Sequence, residues 1–156
     1  MKQYLDLVQT VIENGVRKKT RTGVDTISYF GAFYKVDLGD GFPLLTTKKM
    51  QWKSLLHEVL WYLSGENHIR NLRQHTKIWD AWADDNGVLE TAYGYYWRHF
   101  PSAQRNKNGE WVVREIDQIQ YVIDEIRRNP NSRRLVISAW EPGNATTSKL
   151  PPCHYT

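Results

Sequence analysis

Residues 52–63 place Trp52, Leu55, Leu56, Val59, Leu60, Trp61 and Leu63 around most of the circumference of a helix, and Gly65 follows where such a helix would stop. A helix that is apolar on most sides gains from folding only if other elements cover it. The expectation is a buried helix, with the rest of the chain supplying its cover. Within it stands Glu58, flanked at helical spacing by Leu55 and Tyr62. A carboxylate there is expensive unless it is paired or hydrogen-bonded. Glu58 is therefore either a site residue or one half of an ion pair with a nearby Lys or Arg.

The remaining pattern is mixed. Residues 2–14 put Tyr4, Leu7, Val8, Val11 and Ile12 on one helical face, with Gly15 at the cap position. Residues 26–38 are aromatic and β-branched and predict a strand bent at Gly31, followed by a turn at Gly39-Asp40-Gly41. A second, more polar helix is expected over 68–74, and the aromatic segment 78–82 leads to a turn at Asp84-Asp85-Asn86-Gly87. Residues 93–100 are again aromatic, and 105–110 form a polar loop, a hairpin or an insertion. Ile116, Ile119, Val122, Ile123 and Ile126 mark an amphipathic helix ended by Asn129-Pro130. Residues 135–140 read as a strand, and the polar loop 141–149 leads into the final segment.

Helices and strands alternate without a βαβ rhythm, so the fold class is α+β. There is no internal repeat, linker or low-complexity stretch, and 156 residues suit one domain. The last segment begins like a strand and then stops, so the expected domain is incomplete at its carboxyl end.

Seven Trp and nine Tyr in a chain that is 40% hydrophobic point to a folded protein rather than a disordered one. The net charge of +4 suits phosphate-bearing partners without requiring them. It is too modest and too dispersed to recommend dedicated nucleic-acid binding. A single cysteine cannot form an internal disulfide. With no apolar run of about 18 residues and no signal-like start, the expected location is the cytoplasm, without membrane insertion.

That cysteine stands in Pro151-Pro152-Cys153-His154, where two prolines restrict the backbone just before the thiol. A held, accessible cysteine and a structural one near a strand start both fit. Arg21, in the loop after the first helix, and the pair Arg133-Arg134, between a helix end and a strand, are natural anion receivers. The pair also fits a solvated surface. Trp79, Trp82, Tyr93, Tyr95, Tyr96 and Trp97 would stack a flat heterocycle or fill a core. His57 and His154 lack the clustered spacing of a zinc site, so no metal is expected, and no glycine-rich phosphate loop is present.

Taken in order, Arg21-Thr22-Gly23, Phe42-Pro43-Leu44-Leu45-Thr46-Thr47-Lys48, His57-Glu58-Val59-Leu60-Trp61, Ile78-Trp79-Asp80, Tyr93-Gly94, Trp97-Arg98, Ser132-Arg133-Arg134 and Pro152-Cys153-His154 resemble thymidylate synthase. The resemblance implies an α+β fold with a mixed sheet packed by helices. It implies reductive methylation of dUMP to dTMP, with 5,10-methylenetetrahydrofolate giving first the carbon and then a hydride. Cys153 would add to carbon 6 of the pyrimidine, Glu58 would organise water and proton transfer, and Tyr93 would assist loss of the carbon 5 proton. Arg21 matches one phosphate-binding arginine. Arg133 and Arg134 match a pair given by the other subunit of a homodimer. Ile78, Trp79 and Trp82 match the folate wall, and Lys48 a basic residue near the folate's glutamate tail.

Two departures stand out. The family commonly has Leu-Gly-Pro before the tyrosine, where this chain has Leu89-Glu90-Thr91-Ala92, and a Gln where this chain has Tyr96. The resemblance covers a little over half of a usual family member, so the 156 residues alone are expected not to turn over. The rival readings are a nucleotide hydroxymethylase of the same superfamily, in which water captures the methylene intermediate, and a non-catalytic fragment or RNA-binding module.

Overall fold

The computed structural model describes residues 2–20, 23–90 and 92–144. Cys153 and Arg21 lie outside the described residues, as does everything expected of residues 145–156. The chain divides after Met50 into two compact units.

In the first unit, α1 (Lys2–Asn14) is followed by an antiparallel pair, β1 (Val16–Lys18) with β2 (Thr26–Ser28), registered Val16 to Ser28 and Lys18 to Thr26. The amphipathic reading of α1 holds. Gly15 closes it with its N–H on the Val11 carbonyl at 2.9 Å. A Cβ at Gly15 would stand 2.4 Å from Ile27 Cγ2, so glycine is needed there for close approach of β2. The long strand expected over 26–38 is not found. Only Thr26–Ser28 pairs, a bend with Gly31 at φ 80° follows, and Leu38–Asp40 is a 3₁₀ turn capped by Asp37. Composition makes a segment compatible with a strand, but the ladder needs a partner with free backbone groups. Beyond Ser28 none of the described residues supplies one.

The second unit begins with α2 (Trp52–Ser64), stopped by Gly65 in the left-handed conformation at φ 76° with its N–H on the Tyr62 carbonyl. The chain then winds through a bridge between His68 and Val88, a 3₁₀ turn at Leu72–Gln74, and turns over 77–82. The helix expected over 68–74 is thus reduced to a single tight turn. The predicted Asp84–Gly87 turn is present: Asp84 Oδ1 accepts from the N–H groups of Asn86 and Val88. After it come α3 (Tyr93–Arg98), the hairpin β3 (Phe100–Arg105) with β4 (Trp111–Ile116), and α4 (Gln118–Arg128).

Helices and two small antiparallel sheets make the α+β class plain. A larger mixed sheet is not present among the described residues. The core of the second unit is Trp61, Ile69, Leu72, Leu89 and Ala92, with Tyr62, Trp79, Ala83 and Tyr95 packed around it. The expectation of a buried α2 is corrected. Trp61 is its one buried residue, while Trp52, Leu55, Leu56, Val59, Leu60 and Leu63 are exposed. Its sequence demands cover on several sides, and the described part of this unit covers one.

Residues 135–140 also form no strand. Their anchor is the Gln118 side chain: its Oε1 accepts from Ser138 N–H at 2.8 Å, and its Nε2 donates to Ser138 O at 2.8 Å and to Tyr96 O at 2.8 Å. A side-chain amide has both a donor and an acceptor, so it satisfies an extended backbone much as a neighbouring strand would.

A carboxylate held among aromatic rings

On α2 the apolar pattern is interrupted by Glu58, with Tyr62 one turn later on the same face. The Tyr62 hydroxyl donates to Glu58 Oε1 at 2.9 Å, and the indole Nε1 of Trp79 donates to the same oxygen at 2.6 Å. Glu58 is half-buried, and the alternative of an ion pair is not realised among the described residues. Two neutral donors offset part of the desolvation cost of the carboxylate.

The donors are themselves fixed by rings. Tyr62 meets Tyr93 edge-on at 5.9 Å between centroids and Trp97 edge-on at 5.5 Å, and Trp79 meets Tyr93 at 5.8 Å. Tyr93 and Trp97 are four residues apart on α3, so one helical face delivers both. Gly94 lets that face come close, because a Cβ there would stand 2.3 Å from both the Cα and the carbonyl oxygen of Tyr62. Behind them, Trp61 donates from Nε1 to the His68 carbonyl at 3.1 Å and joins the core. Burial, followed by the nearby Glu58 charge, raises the Tyr62 phenol far above its ordinary value, so it remains a donor at any working pH. Trp97 Nε1 is buried and finds no hydrogen-bond partner among the described residues.

Glu58, Trp79 and Tyr93, named separately in the sequence, are thus brought into one cluster. Ile78 and Trp82 sit on the same turn as Trp79 and are partly exposed, with Trp82 N–H on the Trp79 carbonyl at 3.1 Å. Arg133 and Arg134 are exposed on the turn after α4. Lys48 is exposed and belongs to the first unit. His57, next to Glu58, stacks flat on His75 with 3.7 Å between ring centroids.

Tyr62, expected only to flank Glu58, is its donor. Its phenol four residues along the helix was a readable signal for a donor. The two departures also acquire a setting. Leu89 and Ala92 are in the core, Thr91 lies outside the described residues, and Tyr96 is 7% exposed. The Tyr96 hydroxyl is bonded by the Asn144 side-chain amide, and burial raises its phenol.

The family described as thymidylate synthase matches residues 2–156. A thymidylate synthase from Haloferax volcanii is 56% identical over 164 aligned residues, which cover 97% of this chain and 48% of that protein. The chain therefore spans about half the length of this curated relative.

Proposed function

This chain belongs to the thymidylate synthase family, and on that premise we propose that it serves the reductive methylation of dUMP to dTMP, with 5,10-methylenetetrahydrofolate as carbon and hydride donor. The observation that carries the reading furthest is the half-buried carboxylate of Glu58, hydrogen-bonded by Trp79 and Tyr62, which are both in ring contact with Tyr93.

The chemistry requires a nucleophile because carbon 5 of a uracil ring does not alkylate unaided. The Cys153 thiolate adds to carbon 6, and the electron pair displaced toward the carbonyl makes carbon 5 nucleophilic toward the folate methylene. Arg21 and, from the second subunit of a homodimer, Arg133 and Arg134 hold the nucleotide phosphate by charge-assisted hydrogen bonds. Fixed cationic charge near the thiol also favours the thiolate. Glu58 orders water and relays protons at the pyrimidine carbonyl and the folate, a role suited to a carboxylate held by neutral donors. Tyr93 assists removal of the carbon 5 proton. Loss of that proton expels tetrahydrofolate from the bridging carbon and leaves a methylene on carbon 5, and hydride transfer from the released tetrahydrofolate to this methylene completes the methyl group as the Cys153 thiolate is expelled, giving dTMP and dihydrofolate.

Ile78, Trp79 and Trp82 offer one apolar, aromatic wall to the pteridine, and Lys48 offers charge to its glutamate tail. The proposed setting is a cytoplasmic homodimer. No helix among the described residues is long and apolar enough to cross a membrane.

The test is product identification after incubating the full-length protein with dUMP or dCMP and methylenetetrahydrofolate. Folate-dependent dTMP supports the reading. A hydroxymethylated nucleotide as the product would replace it with hydroxymethyl transfer.

A further inference from the structure

We propose that Tyr62 is a positioning residue for Glu58, fixing which carboxylate oxygen is held and which faces the reaction. The proposal rests on the role given to Glu58 above. Both donors converge on one atom, Oε1, from Tyr62 at 2.9 Å and from Trp79 at 2.6 Å. Neither reaches Oε2. A carboxylate turns readily about its last bond, and with symmetric surroundings the two oxygens would exchange roles. Two donors on a single oxygen remove that freedom and leave the second oxygen's lone pairs for water or substrate.

Tyr62 is the better placed of the two donors for this purpose. It lies on the same helix as Glu58, so their spacing is set by helix geometry, whereas Trp79 arrives from a turn 21 residues away. Its ring is pinned edge-on by Tyr93 and Trp97, and its backbone lies against Gly94. The hydroxyl therefore has little room to swing away. Tyr62, like Trp79, also touches both side chains assigned to proton handling, Glu58 and Tyr93. The titratable groups facing Tyr62 are Glu58, from its own helix, and Tyr93, from α3.

Tyr62→Phe removes the hydroxyl and keeps the ring. In the full-length protein it should lower kcat about tenfold while leaving the KM for dUMP within about twofold, and the melting temperature should stay unchanged. In a double-mutant cycle, adding Tyr62→Phe to Glu58→Gln should cost less than about twofold more, because the hydroxyl acts through the carboxylate. An undiminished kcat in Tyr62→Phe, or a full multiplicative loss in the double variant, would overturn the proposal and leave the role of Glu58 standing. A lowered melting temperature with raised KM for both substrates would also overturn it, reducing Tyr62 to packing. A wild-type rate in Glu58→Gln would overturn the reading of Glu58 itself.

Discussion

Glu58 draws its support from a phenol and an indole instead of a cation, and this decides what it is able to do. A guanidinium partner would neutralise the charge and tie up both oxygens. The hydrogen bonds from Tyr62 and Trp79 both fall on one oxygen of the half-buried carboxylate. Glu58→Gln should accordingly reduce kcat by about a hundredfold or more with little change in dUMP binding, as removal of a group acting in proton transfer does. Steady-state kinetics with a separate nucleotide-binding titration check this, and weaker binding at an unchanged rate would contradict it. That Glu58 is hydrogen-bonded was legible, because a carboxylate in an apolar helix needs a partner. Tyr62 enters the sequence reading only as a flank of Glu58, although its helical spacing carried the signal for a donor. Trp79 was not legible as its partner, since a contact across 21 residues follows from how the turns over 77–82 fold back, which local pattern does not encode.

Elements with a strong internal period came out largely as their sequences predict: α1 and α2 occupy the expected stretches, α4 does so from Gln118 whereas Ile116, expected in that helix, ends β4, and the polar loop at 105–110 falls at the hairpin turn between β3 and β4. Elements that depend on a partner did not, as the unpaired residues after Ser28 and the amide-held Ser138 show. The contact of α2 with α3 at Gly94 is the most exacting of these packings. Gly94→Ala would insert a methyl against the Tyr62 backbone, and a thermal or urea melt should report destabilisation of about 1–3 kcal/mol, typical of overpacking. Activity should fall with it, because the same contact sets Tyr62 and Tyr93. At the end of α4 the buried Glu125 is held below the usual carboxylate range, first by a hydrogen bond with Ser132 and then by Arg128. A carboxyl with a lowered folded-state value stabilises fully above its unfolded value and loses that contribution as pH falls through the folded one. Glu125→Gln should therefore destabilise at neutral pH and converge on the wild type in acid, which melts across a pH series would reveal. A constant difference at every pH would contradict it.

At the scale of the whole molecule, α2 carries more apolar surface than the described part of its unit covers, in a chain spanning about half the length of its relative. Pattern identified that helix but not its surroundings, because burial belongs to what packs on a surface. Homodimer sharing is testable without seeing the interface. Mixed dimers of an Arg133→Ala/Arg134→Ala subunit with a Cys153→Ser subunit contain one complete site if the arginines serve the partner, and none if they serve their own subunit. Random mixing should restore roughly a quarter of wild-type activity in the first case. The most direct test of the account remains the thiol. Full-length protein carrying Cys153→Ser should retain dUMP binding and lose folate-dependent dTMP formation by about a thousandfold or more, since a neutral hydroxyl is a poor nucleophile toward carbon 6. A serine variant that makes dTMP at the wild-type rate would contradict it.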